Sequence, residues 1–168
     1  MRICYIILFI VYSTNALALV KFTPEELKNI AVHFLKAKNR SQQPKPSEND
    51  IKIFLDALAS DLKVEYIYPE MEPVKSDKDG LHQKVLTQIQ NEYEYSKIQV
   101  LEYITGYNFI VVKLIEKSKH NGNIYYKASD GERMVAVSDK GIEGELEIIF
   151  TLQVNPKGLI EVISQRIG

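Results

Sequence analysis

The sequence predicts an α+β domain, with N-terminal helices packed on a strongly curved antiparallel sheet. Two observations predict it. From Thr23 onward apolar residues recur at helical intervals, and beyond Tyr93 their period changes to two. The later apolar runs are separated by Thr105-Gly106, Asn121-Gly122, Asp130-Gly131, Asp139-Lys140-Gly141 and Asn155–Gly158, which are turn signals at hairpin spacing. Helices followed by strands, rather than alternating with them, indicate an antiparallel sheet covered on one face.

The first segment reads as a leader rather than as part of the domain. Arg2 precedes an apolar run, Ile3–Tyr12, and the segment ends in Ala16-Leu17-Ala18, a small-x-small cleavage pattern. The run is well short of the roughly 20 residues needed to span a bilayer. Cleavage after Ala18 is therefore expected, with no stable membrane anchor afterwards and a secreted or periplasmic destination. Residues 1–18 are the signal peptide, and residues 19–168 form a single domain of ordinary size.

Composition narrows the function. The chain has 21 basic and 22 acidic residues and a net charge of −1, which lacks the basic footprint of a nucleic-acid binder. Its one cysteine, Cys4, lies in the leader, so the mature domain is expected to rely on its core rather than on disulfides. Asn39-Arg40-Ser41 matches a glycosylation sequon, a pattern that is common by chance.

The elements follow in order. Thr23, Pro24 and Glu26 make a capping box with proline at the first helical position, and Leu27, Ile30, Ala31, Phe34 and Leu35 form one stripe. "NRSQQPKPS" reads as a loop. Ser47 and Asp50 start a second helix whose stripe is Ile51, Phe54, Leu55, Leu58 and Leu62. "LKVEYIYPE" is a short strand ended by Pro69, and "MEPVKSDKDG" is a loop. A third helix carries Leu81, Val85, Ile89 and Tyr93. Strands follow in "KIQVLEYI", "NFIVVKLIEKS", "IYYKA" and "RMVAV", and a terminal hairpin spans Ile148–Gly168. In that hairpin Ile148, Phe150, Leu152 and Val154 share the core face, while Glu147, Ile149, Thr151 and Gln153 face outward. Asn155–Gly158 suits a type I turn with glycine in the left-handed position.

This order resembles the nuclear transport factor 2-like superfamily, particularly its SnoaL-like members with a cystatin-like, cone-shaped α+β barrel. "DIKIFLDALASDLKVEYI" looks like that family's second helix running into its first strand, with Asp61 at the hinge. "YNFIVVKLIEKSKHNGN" looks like its long central strand, and "GELEIIFTLQVNPKGLIEVIS" is similar to its closing hairpin. The resemblance implies a cavity between sheet and helices. Such a cavity holds a small apolar ligand, hosts cyclase or isomerase acid–base chemistry, or is simply filled, and fold does not choose among these.

The candidate binding residues are Asp61, Tyr66 and Tyr103. Asp61 falls beside the second stripe, where its carboxylate either faces the pocket mouth or bonds local backbone at the helix end. Tyr66 and Tyr103 either line the cavity or sit at sheet rims with wet hydroxyls. His33 lies off its helix stripe, His82 is next to Leu81, and His120 sits in a turn. Three histidines without HxH, HExxH or CxxC spacing give no metal site. No GxSxG, Walker or GxGxxG pattern occurs, and no cofactor or catalytic residue is expected. Lys36, Lys38, Arg40 and Lys45 read as a solvated basic patch. The expected partners are a small apolar ligand, and a protein or second copy meeting the outer sheet face at Ile149 and Ile163. The leading reading is a non-catalytic binding or interaction domain, with a cyclase or isomerase as the alternative.

Overall fold

Two capping boxes set the helical layer. In α1 (Pro24–Ser41) the Thr23 hydroxyl accepts from the Glu26 backbone N–H, and the Glu26 carboxylate accepts from the Thr23 backbone N–H at 2.7 Å. Ser47 and Asp50 repeat the arrangement at α2 (Glu48–Asp56). Each box satisfies orphan N–H groups at a helix start. The computed structural model describes residues 20–86, 93–122, 124–127, 134–138 and 140–168. The leader, Ile89 and the Asp130-Gly131 turn lie outside these.

The remaining elements are β1 (Leu58–Ile67), β2 (Val74–Asp77), α3 (Lys78–Lys84), β3 (Tyr93–Thr105), β4 (Phe109–His120), β5 (Ile124–Lys127), β6 (Met134–Ser138), β7 (Glu143–Val154) and β8 (Ile160–Ile167). Six strands form one sheet in the order β2-β1-β8-β7-β4-β3, and β5 pairs with β6 as a separate ribbon. The α+β layering is the one predicted. The sheet is mixed rather than purely antiparallel, because β8 runs parallel to β1 while pairing antiparallel with β7. It stays open, with β2 and β3 as edges.

Four local expectations change. The first helix continues through Asn39–Ser41, so its end takes in part of the predicted loop; the Ser41 hydroxyl is buried and donates to the Lys38 carbonyl. The second helix stops at Asp56, and Leu58 and Leu62 belong to β1. Residues four apart share a face in a strand as well as in a helix, so the stripe could not distinguish the two. Tyr93 likewise begins β3 instead of ending a helix, and β2 replaces part of a predicted loop by pairing with β1.

The core lies between the helices and the concave sheet face. Ile110, Val112 and Leu114 of β4 alternate inward, as do Ile148, Phe150, Leu152 and Val154 of β7, and all are buried. Phe34 of α1 stacks edge-on to Phe150 at 6.2 Å and lies 5.8 Å from Phe54 of α2. The turn between β7 and β8 has the expected form. Gly158 is left-handed (φ 79°), and Asn155 Oδ1 accepts from the N–H groups of Lys157 and Leu159.

Ile163 does not lie on the outer face. The register pairs it with Leu152, which turns it inward, and it is 3% exposed. A shift in pairing between Gln153 and Val154 puts Ile160 and Ile163 on the core side despite their odd spacing. On the outer face Ile149 stands beside a ladder of ion pairs, Lys113–Glu147 at 2.9 Å and Lys117–Glu145 at 2.8 Å.

The hairpin register yields a paired test. Leu152→Asp should lose about 3–5 kcal/mol of stability by burying an unpaired charge. Gln153→Asp, on the exposed face, should stay within about 1 kcal/mol. Thermal and denaturant melts of the two variants measure the contrast, and equal melts would contradict the register.

Candidate functional site

The inner face of β4 changes character halfway along. Ile110, Val112 and Leu114 are followed on the same face by Glu116, Ser118 and His120, all buried. These polar residues form one end of a cavity of about 110 Å³ between the helices and the sheet. Phe34, Phe54, Ile148, Phe150 and Ile163 supply apolar walls. Gln165, on the inner face of β8, adds a further polar group.

Glu116 is 4% exposed and held from three directions. Lys38 Nζ, near the end of α1, donates to its Oε2 at 3.1 Å. Gln42 Nε2 and Ser96 Oγ each donate to its Oε1 at 3.2 Å. Lys38 also donates to Gln42 Oε1 at 2.6 Å, and Gln42 Nε2 donates to the Tyr93 hydroxyl oxygen at 2.9 Å. Burial pushes the Glu116 carboxyl up, but the Lys38 ammonium and the three donated bonds outweigh it, so the group titrates below the usual carboxylate range. Glu116 is therefore an ion-paired carboxylate with both oxygens occupied. Three of a carboxylate's roughly four lone-pair positions are used, and the Lys38 charge lowers its basicity, which makes it a poor general base.

His120 ends β4 and is 6% exposed, its ring 4.6 Å from that of Tyr93. It is a cavity-lining strand residue rather than the turn residue expected from sequence. Its Nε2 shares a hydrogen bond of 3.1 Å with Ser118 Oγ. Its Nδ1 is buried and has no hydrogen-bond partner among the described residues. Burial lowers its pKa, with the Glu116 charge pulling weakly the other way, so the imidazole is neutral at pH 7. A serine–histidine pair is activated for nucleophilic attack when a third group orients the base through its other nitrogen. Ser118 and His120 have the first contact and, among the described residues, lack the second.

The structure separates the three residues singled out in the sequence. Tyr66 lines the cavity, with Lys84 Nζ 4.9 Å from its ring centre. Tyr103 is half-buried near the opposite end of β3, beneath Lys28 and outside the cavity wall, and burial raises the pKa of its hydroxyl. Asp61 is an exposed residue of β1, outside the cavity wall, where the pairing with β8 is irregular between Leu58 and Lys63. Of the predicted basic patch, Lys36, Arg40 and Lys45 are exposed, whereas Lys38 turns inward to Glu116. Among the described residues no group of three or more His, Cys, Asp or Glu side chains could hold a metal ion, and no helix is long and apolar enough to cross a membrane.

Solved structures identify the architecture. AclR from Streptomyces galilaeus superposes with a TM-score of 0.61 at 11% identity, over 87% of this chain and 81% of that one. A nuclear transport factor 2-like protein of unknown function from Exiguobacterium sp. 255-15 gives 0.57 at 10%, over 83% and 98%. A computationally designed 17-OHP binder gives 0.57 at 17%, over 83% and 91%. No family model and no curated protein sequence matches the chain. The chain has the nuclear transport factor 2-like fold, the one its sequence resembles.

His120 sets a pH dependence. Unfolded, the imidazole titrates near 6.5, and in the folded protein it titrates lower. Between those two values the unfolded chain binds more protons, so stability present above pH 6.5 is lost as pH falls below it. Melting temperatures measured between about pH 7.5 and pH 5.5 should fall further for the wild type than for His120→Phe, which keeps a ring against Tyr93 but cannot titrate.

Proposed function

We propose that this chain is an exported, non-catalytic ligand-binding module whose cavity takes a small, mainly apolar molecule. The observation that carries the reading is the engagement of both Glu116 oxygens, one of them by an ammonium. This carboxylate lines the cavity with its oxygens occupied by Lys38, Gln42 and Ser96, so it shapes and polarises the cavity end without serving as a base. Apolar walls with a few convergent polar groups are the ordinary composition of a small-molecule site. The designed 17-OHP binder supports a ligand-holding use of the same architecture. Export rests on the Met1–Ala18 pattern. Intact mass of secreted material should show a chain beginning at Leu19, and retained Met1–Ala18 would remove that part of the proposal.

Filling the cavity tests the binding reading. Ile163→Trp places an indole in the space beside Phe150 and should weaken binding of single-ring apolar probes such as ethylbenzene by about tenfold or more, while the fold survives at a cost of about 1–3 kcal/mol. Titration calorimetry and thermal melts separate the two effects. Absence of probe binding to the wild type, or equal binding to both, would refute the reading. Asp61→Asn should leave probe affinity unchanged.

The Ser118–His120 contact favours the second reading, a cyclase or isomerase using acid–base chemistry in the cavity. Turnover of small enolisable substrates by the wild type, lost in His120→Gln, would establish that reading in place of the first.

A further inference from the structure

Lys38 is the cation of the polar cluster around Glu116, and its hydrogen bonding is incomplete. An ammonium has three N–H donors. Two are used, on Glu116 Oε2 at 3.1 Å and Gln42 Oε1 at 2.6 Å. Among the described residues no oxygen takes the third. The Phe150 ring is 5.7 Å from Nζ, at the outer limit of a cation–π contact, and it offers no hydrogen-bond acceptor. Lys38 and Phe150 both line the cavity, and the Lys38 side chain is only 14% exposed. The side chain is largely withdrawn from bulk water, so an unmatched donor costs free energy and an oxygen from the cavity contents is expected to complete it.

We propose that Lys38 anchors the ligand through this third N–H, and that the group it selects is a neutral carbonyl oxygen. Glu116 determines the class. Its full negative charge lies against Lys38 in the same pocket, so the pair is neutral and the site gains nothing from a second carboxylate. An ammonium already paired in this way still donates a charge-assisted hydrogen bond, stronger than a neutral one. Gln42 and Ser96 hold Glu116 and thereby aim Lys38, so they act as positioning residues. The remainder of the ligand meets Phe34, Phe54, Ile148 and Ile163, which calls for an apolar body. The ligand class is a small aromatic or alicyclic ketone or aldehyde, with water completing Lys38 when the cavity has no ligand.

This inference rests on the ligand-binding reading above, and the test distinguishes the two. Acetophenone, ethylbenzene and benzoate are titrated calorimetrically into the wild-type protein and into the double variant Lys38→Met, Glu116→Gln. The double variant removes both charges together and so leaves no unpaired buried ion, while the amide introduced at position 116 can still bond Gln42 and Ser96. The wild type should bind acetophenone about tenfold or more tightly than ethylbenzene, the preference expected of one charge-assisted hydrogen bond. In the double variant the ratio should fall to about two or less, whatever happens to the affinity for ethylbenzene itself. Persistence of the ketone preference in the double variant overturns the role of Lys38 and leaves the cavity reading intact. Benzoate binding the wild type more tightly than acetophenone overturns the neutral-carbonyl class. Failure of all three probes to bind the wild type overturns the cavity reading as well. Should the double variant not fold, the ¹⁵Nζ resonance of Lys38 in the wild type decides: it should shift on adding acetophenone and stay in place with ethylbenzene, and equal responses would overturn the assignment.

Discussion

Glu116 has to be charged where nearly all of its surface is withdrawn from bulk water, and the arrangement around it follows from that. Removing a carboxylate from water costs several kcal/mol even after the surroundings relax, and the loss is recovered only when a counter-ion and further donors meet it with good geometry. Here the counter-ion comes from α1 and the donors from the end of α1 and from β3, while the carboxylate itself is on β4. The interaction therefore fixes where the helical layer sits on the sheet. Hydrophobic contact between Phe34, Phe54 and Phe150 supplies the larger attraction but tolerates sliding. Hydrogen bonds to one carboxylate do not.

The same constraint explains why there is a cavity. A close-packed core would fill the space between helices and sheet with side-chain carbon. At the end of the sheet bearing Glu116, Ser118, His120 and Gln165, the inward positions carry polar atoms that must be bonded, and a purely apolar filling would leave them stranded. The apolar half of the β4 face is packed solid, with Ile110, Val112 and Leu114 fully buried. The polar half is kept open. One strand thus divides the domain into a stability region and a recognition region.

Much of the fold could be read from residues whose chemistry acts locally. Thr23 with Glu26 and Ser47 with Asp50 announce their helices, and the alternation from Ile148 to Val154 gives the correct buried face. The errors arise where a local pattern fits two structures, as with Leu58 and Leu62, or where pairing shifts by a residue, as before Ile163. The site was less legible. Asp61 draws attention as a carboxylate beside an apolar stripe, but the helix carrying that stripe ends at Asp56. A usable signal lies in β4, where a strict alternation of apolar inward residues turns polar at Glu116 and stays polar through His120. Placing His120 in a turn hides that signal. That Lys38, Gln42 and Ser96 converge on Glu116 is a fact of tertiary packing, and no sequence spacing records it.

The position of β8 has a kinetic consequence. Before this strand docks, the sheet exists only as two pieces, β2 with β1 on one side and β7 with β4 and β3 on the other. Each piece would present a bare edge, and the two can join only through a strand reached late in the sequence: Val64 pairs with Ile163, and Leu152 pairs with Ile163 from the other side. The β7–β8 contacts belong to a local hairpin, but Val64 and Ile163 are far apart along the chain, and such contacts are slow to form because the intervening loop must close before any of them is rewarded. Folding of this domain is therefore expected to end when the free edge of the β7–β8 hairpin joins β1 in the middle of the sheet. Amides that bond between β1 and β8 should become protected from hydrogen exchange after those of the local β3–β4 and β7–β8 hairpins.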